Sequence, residues 1–269
     1  MVAASGPDHQ IAAFFDVDRT LVRGSSLLAL AAPLWRAGLL PRSAAFQAAI
    51  RGLQFSSRGL SEDKVRRAVT AISRVVRGMD AAAMRQVADT ATPRILAPRV
   101  YDEALRLIEW HHQHGHLVFL VSASTHDLID KLGEIVGADG VVASEAEIVD
   151  GHYTGRVELC HGAAKAEALR RLARGHGIDL ERSYAYGDAL GDLPMLEAVG
   201  HPIAVNPDGR LRVMAEQRRW RQLRFRRRSR WVRLTSLRRT PVAVRKPVPH
   251  RRPVPDQAPE DVATIVGNP

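Results

Sequence analysis

The stretch FFDVDRTLVRG, residues 14–24, decides how the rest of the chain is read. An apolar run, IAAFF at 11–15, ends in two aspartates, Asp16 and Asp18, with one residue between them and Thr20 just beyond. A continuous apolar run of this length reads as a strand covered on both faces. In an open α/β sheet, ligands sit outside the carboxyl ends of such strands. The two acids are therefore expected where chemistry would take place.

Further along, apolar runs alternate with helical patterns. PRVYDEALRLIEWHHQHG (98–115) reads as a helix with a Pro start and a Gly stop, HLVFLVS (116–122) as a strand and THDLIDKLGEIVG (125–137) as a helix. DGVVAS (139–144) reads as a strand, and EIVDGHYTGRVE (147–158) as a hairpin turning at Asp150-Gly151. GAAKAEALRRLARGHG (162–177) is a helix, SYAYGD (183–188) a strand, LPMLEAVG (193–200) a helix and HPIAVN (201–206) a strand. This alternation predicts an α/β fold, a doubly wound parallel sheet with helices on both faces. Residues 25–96 read as helical throughout, including SEDKVRRAVTAISRVV (61–76) with Ser61 as N-cap and two acids in the first turn. That block suggests an α-helical cap inserted into the core. The expected division is a catalytic core at 1–22 and 97–225, a cap at 23–96 and a tail at 226–269.

The chain has 269 residues, is 45% apolar and carries a formal net charge of +10. From Gly209 to the end there are 17 Lys and Arg against 4 Asp and Glu, which leaves 22 basic and 25 acidic residues upstream. The body is thus mildly acidic, and the excess positive charge belongs to the last segment. That segment is rich in Arg and Pro and poor in large apolar residues, so it is expected to be mostly disordered. Its Arg clusters and aromatics (Trp220, Phe225, Trp231) suit an anionic membrane or nucleic acid, with a non-specific solvated tail as the alternative. Trp220–Phe225 would instead be the last core strand if the sheet extends that far. A single cysteine, Cys160, excludes an internal disulfide and a cysteine metal cluster. The N-terminus lacks a secretory pattern, and LLALAAPLWRAGLL (27–40) is too short to span a bilayer, so a cytoplasmic location is expected.

The polar residues gather at one rim. Asp16 and Asp18 follow the first strand, Ser122 ends the second, Asp188 ends SYAYG with Asp192 four residues later, and Lys165 lies near a helix start. Several carboxylates in one place repel each other unless a cation joins them, and oxygen ligands alone favour Mg2+. A carboxylate can attack phosphorus and form an aspartyl-phosphate. A second acid is then needed for the leaving group, and donors for the phosphoryl oxygens. The pair at 16 and 18 can supply the attack and the proton.

In these motifs the chain resembles the haloacid dehalogenase (HAD) superfamily phosphatases, in the subfamily, IB, related to phosphoserine phosphatase. DVDRT (16–20) resembles motif one, VSAS (121–124) motif two and YGDALGDLPML (186–196) motif four, while AAKAEAL (163–169) supplies the motif-three lysine. The resemblance covers roughly residues 11–225. It implies that Asp16 is the nucleophile and Asp18 the general acid/base, whose backbone carbonyl also touches the metal. It implies further that Thr20 holds Asp18 or the turn by a hydrogen bond, that Ser122 binds a phosphoryl oxygen and that Lys165 neutralises the transferring group. Asp188 would ligate Mg2+, and Asp192 would support the metal directly or through water. A small phosphomonoester is the implied substrate. Gly191 stands where phosphoserine phosphatases usually carry an Asn that helps to bind the phosphate. The window RGSSLLALAAPLWRAG (23–38) has no Glu, whereas those enzymes use a Glu and an Arg there to grip the substrate's charged groups.

Simpler readings exist for single residues. Ser122 could merely cap the following helix, Asp192 could cap LPMLEAV, and Lys165 could be a solvated helix lysine. The histidines of EWHHQHGH (109–116) read as a polar helix face rather than a metal site. Cys160 reads as structural.

Overall fold

The computed structural model describes residues 10–40, 70 and 73–226. The aspartate-bearing strand β1, Ala12–Asp16, is central in a seven-stranded sheet. The other strands are β2 (Leu117–Thr125), β3 (Gly140–Val149), β4 (His152–Glu158), β5 (Tyr184–Gly187), β6 (His201–Val205) and β7 (Arg221–Leu223). Their spatial order is β4-β3-β2-β1-β5-β6-β7, and every pairing is parallel except the β3–β4 hairpin. This is the α/β sheet that the alternating pattern predicts. No helix among the described residues is long and apolar enough to cross a membrane.

Successive side chains of a strand point to opposite faces. Ala13 and Phe15 accordingly enter one core cluster, and Ala12 and Phe14 the other. Phe15 stacks on Tyr186 at 4.2 Å between centroids, and Phe14 on Phe119 at 5.7 Å. Each buried phenylalanine contributes about 1.5–3 kcal/mol by area. Both faces of β1 are thus anchored, which fixes where Asp16 emerges.

Between β1 and β2 the chain forms the helices Ser26–Arg36 and Ala81–Ile95, which pack on each other. Ser25 caps the first, its Oγ accepting from Leu28 N–H at 3.5 Å; Asp80 caps the second, accepting from Ala83 N–H at 3.0 Å. The segment LLALAAPLWRAGLL turns Ala29, Leu30, Ala31 and Leu34 inward, as its apolar character suggests. Thr70 and residues 73–76 are helical, while the expected Ser61 cap lies outside the described residues.

Some expected elements have different limits. Pro98 sits in a 3-10 turn, Ala97–Arg99, and the helix proper is Asp102–Gln113, with Asp102 and Glu103 in its first turn. The pattern LPMLEAVG yields only Leu193–Leu196. A Cβ on Gly200 would lie 1.7 Å from Glu181 O, so only glycine fits where the chain passes that backbone before β6. DGVVAS and the first arm of the hairpin are one strand. The turn residues Asp150 and Gly151 have φ of 49° and 79°, as a two-residue type I′ turn requires. The hairpin tip reaches the segment before Ala81: Gly78 N–H donates to Tyr153 O at 2.7 Å, and Tyr153 N–H to Met79 O at 3.0 Å. The segment Trp220–Phe225 contributes β7, and Phe225 is buried against Tyr101. Beyond Arg226 the basic tail lies outside the described residues.

The histidine cluster departs from the polar-face expectation. His111 is fully buried, its Nε2 2.8 Å from Tyr186 Oη and its Nδ1 2.9 Å from His116 Nδ1. Burial first, and the neighbouring His116, His112 and His114 next, push its pKa well below the usual value. A folded-state pKa below the unfolded one means that the unfolded chain takes up the proton first. The stability that His111 contributes is therefore present above the unfolded pKa of about 6.5 and is lost as pH falls toward the folded value. Melting temperature should drop between pH 7.5 and 5, and less steeply in His111→Gln. An equal pH slope in both proteins would refute this.

Candidate active site

Strand register brings the sequence-predicted residues together. Asp16 pairs with Val121, so Ser122 emerges beside it from β2. Phe15 pairs with Tyr186, which places Gly187 and then Asp188 at the end of the neighbouring β5. The helix Ala163–His176 brings in Lys165 as its third residue. Asp16, Ser122, Lys165, Asp188 and Asp192 are all buried.

Lys165 is the hub. Its Nζ donates to Asp16 Oδ1 and to Asp192 Oδ1, both at 2.6 Å. The other oxygen of Asp192, Oδ2, accepts from the backbone N–H groups of Asp188 (3.1 Å) and Ala189 (3.2 Å). Asp192 thus ties Lys165 to the loop after β5 and does not cap Leu193–Leu196 with its side chain. A buried lysine shared by two carboxylates is not a solvated helix lysine.

Burial pushes the Asp16 carboxyl up to about 7, helped by Asp192 and opposed by Lys165. Asp188 is raised well above the carboxylate range, first by burial and then by Asp192 and Asp16. Burial would lower the Lys165 ammonium, but Asp16 and Asp192 outweigh it and hold the pKa above normal. Lys165 alone therefore does not balance the three carboxylates, and Asp188 has a second cation, Arg19.

Asp18 and Thr20 are placed differently from the buried group. Asp18 Oδ1 accepts from Ser26 N–H at 2.9 Å, which ties the acid to the start of the Ser26–Arg36 helix. Thr20 is fully buried, and its Oγ1 has no hydrogen-bond partner among the described residues. The expected hydrogen bond from Thr20 to Asp18 or the turn is therefore corrected: Ser26 N–H holds Asp18, and the Thr20 side chain is enclosed. Ser122 Oγ accepts from Ser124 N–H at 3.1 Å, which leaves its own proton to donate. Ser124 Oγ lies 3.1 Å from Ser26 Oγ, linking the β2 end to the same helix start.

Sequence reasoning missed Arg19. It adopts φ 66°, an uncommon left-handed conformation for a residue other than glycine. Its Nε donates to Asp188 Oδ2 at 2.6 Å. The available signal was a guanidinium placed between two acids of DVDRT and a threonine, in a site otherwise read as acidic.

Asp16, Asp188 and Asp192 each offer an oxygen within 4.8 Å of the others. Three buried carboxylates so close are a fitting oxygen-only set for Mg2+. The side chain of Asp18 is not in this group among the described residues. Cys160 is buried, and burial raises its thiol pKa, so it is unsuited to nucleophilic chemistry.

A doubly wound sheet thus carries a lysine-bridged carboxylate cluster at the ends of β1 and β5. Residues 13–197 match the haloacid dehalogenase-like hydrolase family, and the chain belongs to it. It is 40% identical over 218 residues to an inhibition of morphological differentiation protein of Streptomyces azureus, covering 80% of this chain and 79% of that one. It is 39% identical over 222 residues to a probable phosphatase of Mycobacterium tuberculosis (82% and 77% covered). A phosphoserine phosphatase of the same organism is 35% identical over 240 residues (84% and 76% covered). Among solved structures, a Bordetella pertussis protein of unknown function superimposes with a TM-score of 0.69 at 26% identity, covering 80% of this chain and 98% of that one. A phospho-aspartyl intermediate analogue of phosphoserine phosphatase shares the fold, with a TM-score of 0.58 at 22% identity and coverage of 85% and 99%. The chain is a HAD phosphatase-family hydrolase, and its relatives include a phosphoserine phosphatase.

Proposed function

We propose that this protein is a Mg2+-dependent phosphomonoester hydrolase that works through an aspartyl-phosphate on Asp16. The observation that carries the reading is Lys165, buried and 2.6 Å from both Asp16 and Asp192. A carboxylate oxygen of Asp16 attacks phosphorus while the ester P–O bond breaks. Asp18 gives its proton to the departing alcohol oxygen, then takes one from the water that attacks phosphorus and releases phosphate. Lys165 and the Ser122 hydroxyl donate to the phosphoryl oxygens. Asp16, Asp188, Asp192 and the Asp18 carbonyl would hold Mg2+. When bound, the ion supplies positive charge that favours ionised carboxylates and offsets charge on the phosphoryl group.

The substrate proposed is a small phosphorylated metabolite with an apolar or bulky alcohol portion. The helix Ser26–Arg36, tied to Asp18 through Ser26, begins with Leu27 and Leu28 and has no acid in its first turn. Phosphoserine brings an ammonium and a carboxylate that this segment does not pair, and poorly compensated charges cost several kcal/mol to desolvate. A phosphoserine phosphatase among the relatives favours the second reading, phosphoserine itself. Turnover of p-nitrophenyl phosphate should vanish in EDTA and return with Mg2+, and kcat/KM should be higher for uncharged-alcohol phosphates than for phosphoserine. A preference for phosphoserine would select the second reading, and turnover unaffected by EDTA would refute the metal dependence.

A reading of another class, a scaffold or anionic-surface binder, rests on the basic tail. We propose the tail as an accessory that the chemistry does not need. A chain ending at Phe225 should keep its turnover on small substrates and lose low-salt retention on anionic vesicles or DNA, because such contacts weaken steeply with salt. Loss of turnover on truncation would place the tail at the active site.

A further inference from the structure

Gly191 lies between the two site aspartates of the loop after β5, and the space above it is filled. A Cβ built on Gly191 would lie 2.6 Å from Cε1 of His161 and 3.4 Å from each ring nitrogen. The imidazole of a residue thirty positions away thus stands where a side chain at 191 would stand. The fold holds it there. Ala164 N–H donates to His161 O at 3.2 Å and Lys165 N–H to Gly162 O at 3.1 Å, so His161 sits one turn before Lys165. Gly162, at φ 57°, makes that tight entry.

The ring is half-buried, and neither ring nitrogen makes a hydrogen bond among the described residues. Burial, and then Lys165, lower its pKa, while Asp192 opposes them. A neutral imidazole keeps one N–H to donate. A transferring phosphoryl group spreads charge over three oxygens, each needing donors. Lys165 and Ser122 are two such donors, and Lys165 is already shared between two carboxylates. An N–H without a partner beside Lys165 is suited to a further oxygen.

We propose that His161 is a substrate-binding residue that donates a hydrogen bond to a phosphoryl oxygen, its ring taking the place of a side chain at position 191. This inference rests on the phosphatase reading and assigns one more donor to that site.

The test uses the full chain with Mg2+, p-nitrophenyl phosphate as substrate and inorganic phosphate as competitive inhibitor. His161→Ala should raise KM and the phosphate inhibition constant by about ten- to a hundredfold, the scale of one hydrogen bond to a charged group. kcat should change less. His161→Asn, whose amide can donate, should recover part of the loss. Gly191→Ala should push the ring aside and weaken phosphate binding in the wild-type background. In a His161→Ala background it should add less than about a factor of two, because the two changes then remove one contact. If His161→Ala fails to fold, Gly191→Ala and His161→Asn carry the same readouts. An active protein in which these variants leave KM and phosphate inhibition unchanged, or lose turnover only in step with melting temperature, overturns the role of His161. A wild-type protein that neither hydrolyses the substrate nor binds phosphate overturns the phosphatase reading, and this inference with it.

Discussion

Asp16→Asn should reduce turnover by roughly four orders of magnitude or more, the scale expected when a nucleophile is removed. The substitution keeps the shape of the side chain and an oxygen that can accept from Lys165, so the geometry of the site should persist. It removes a buried negative charge whose carboxyl is already pushed up to about 7. Melting temperature should consequently stay level or rise, which separates lost chemistry from lost folding. Acid-quenched wild-type protein should carry a covalently bound phosphoryl group during turnover, and Asp16→Asn should carry none. Wild-type turnover in the variant would remove Asp16 from the mechanism and with it the acyl-phosphate route.

The core of the fold was legible because its signals are local. Short apolar runs mark strands buried on both faces, and β1, β2, β5 and β6 lie where such runs occur. The carboxylates and the lysine were legible because they sit at element ends in motif order. What escaped depends on partners far away in sequence. Arg19 meets Asp188 across 169 positions, and its place in DVDRT marks it as a cation in an acidic site without saying which acid it meets. His161 above Gly191 is a relation between two loops, and composition offers no hint of which side chain fills the space of an absent one. Thr20 looked like a hydrogen-bonding residue by type, yet its hydroxyl is enclosed and Ser26 N–H holds Asp18 instead. His111 belonged to a run that looks solvated, but the helix Asp102–Gln113 turns that position toward Tyr186 in the core. The hairpin tip could be predicted from Asp150-Gly151, whereas its docking against residues 78–81 could not. In each case residue type gave a chemical capacity, and only tertiary contact decided its use.

Lys165→Met should cost both stability and turnover, and the stability cost should depend on pH. The lysine is enclosed, and its ammonium is held charged by Asp16 and Asp192. Methionine replaces the stem and leaves two buried carboxylates without their shared partner. Removing one member of a buried charge set destabilises by about 3–5 kcal/mol. The remaining acids can relieve this only by taking up protons. The folded-state pKa of Asp16, already raised by burial in the wild type and opposed there by Lys165, should rise further, while the unfolded value stays near that of a free carboxylate. A folded pKa above the unfolded one gives stability that is present at low pH and lost as pH rises through the folded value. Without metal, the melting deficit of Lys165→Met should thus be small at pH 5 and large at pH 8. Mg2+ should recover part of it at pH 8, since a divalent ion binds the carboxylates in their ionised form. Turnover should stay reduced by about a hundredfold or more even with saturating Mg2+, because a positioned donor to the phosphoryl oxygens is gone. Melting curves at pH 5 and 8, with EDTA and with Mg2+, read all of these at once. A deficit that grows toward acid, or a variant as stable as wild type at pH 8 in EDTA, would mean that Lys165 is not the counter-charge of this cluster.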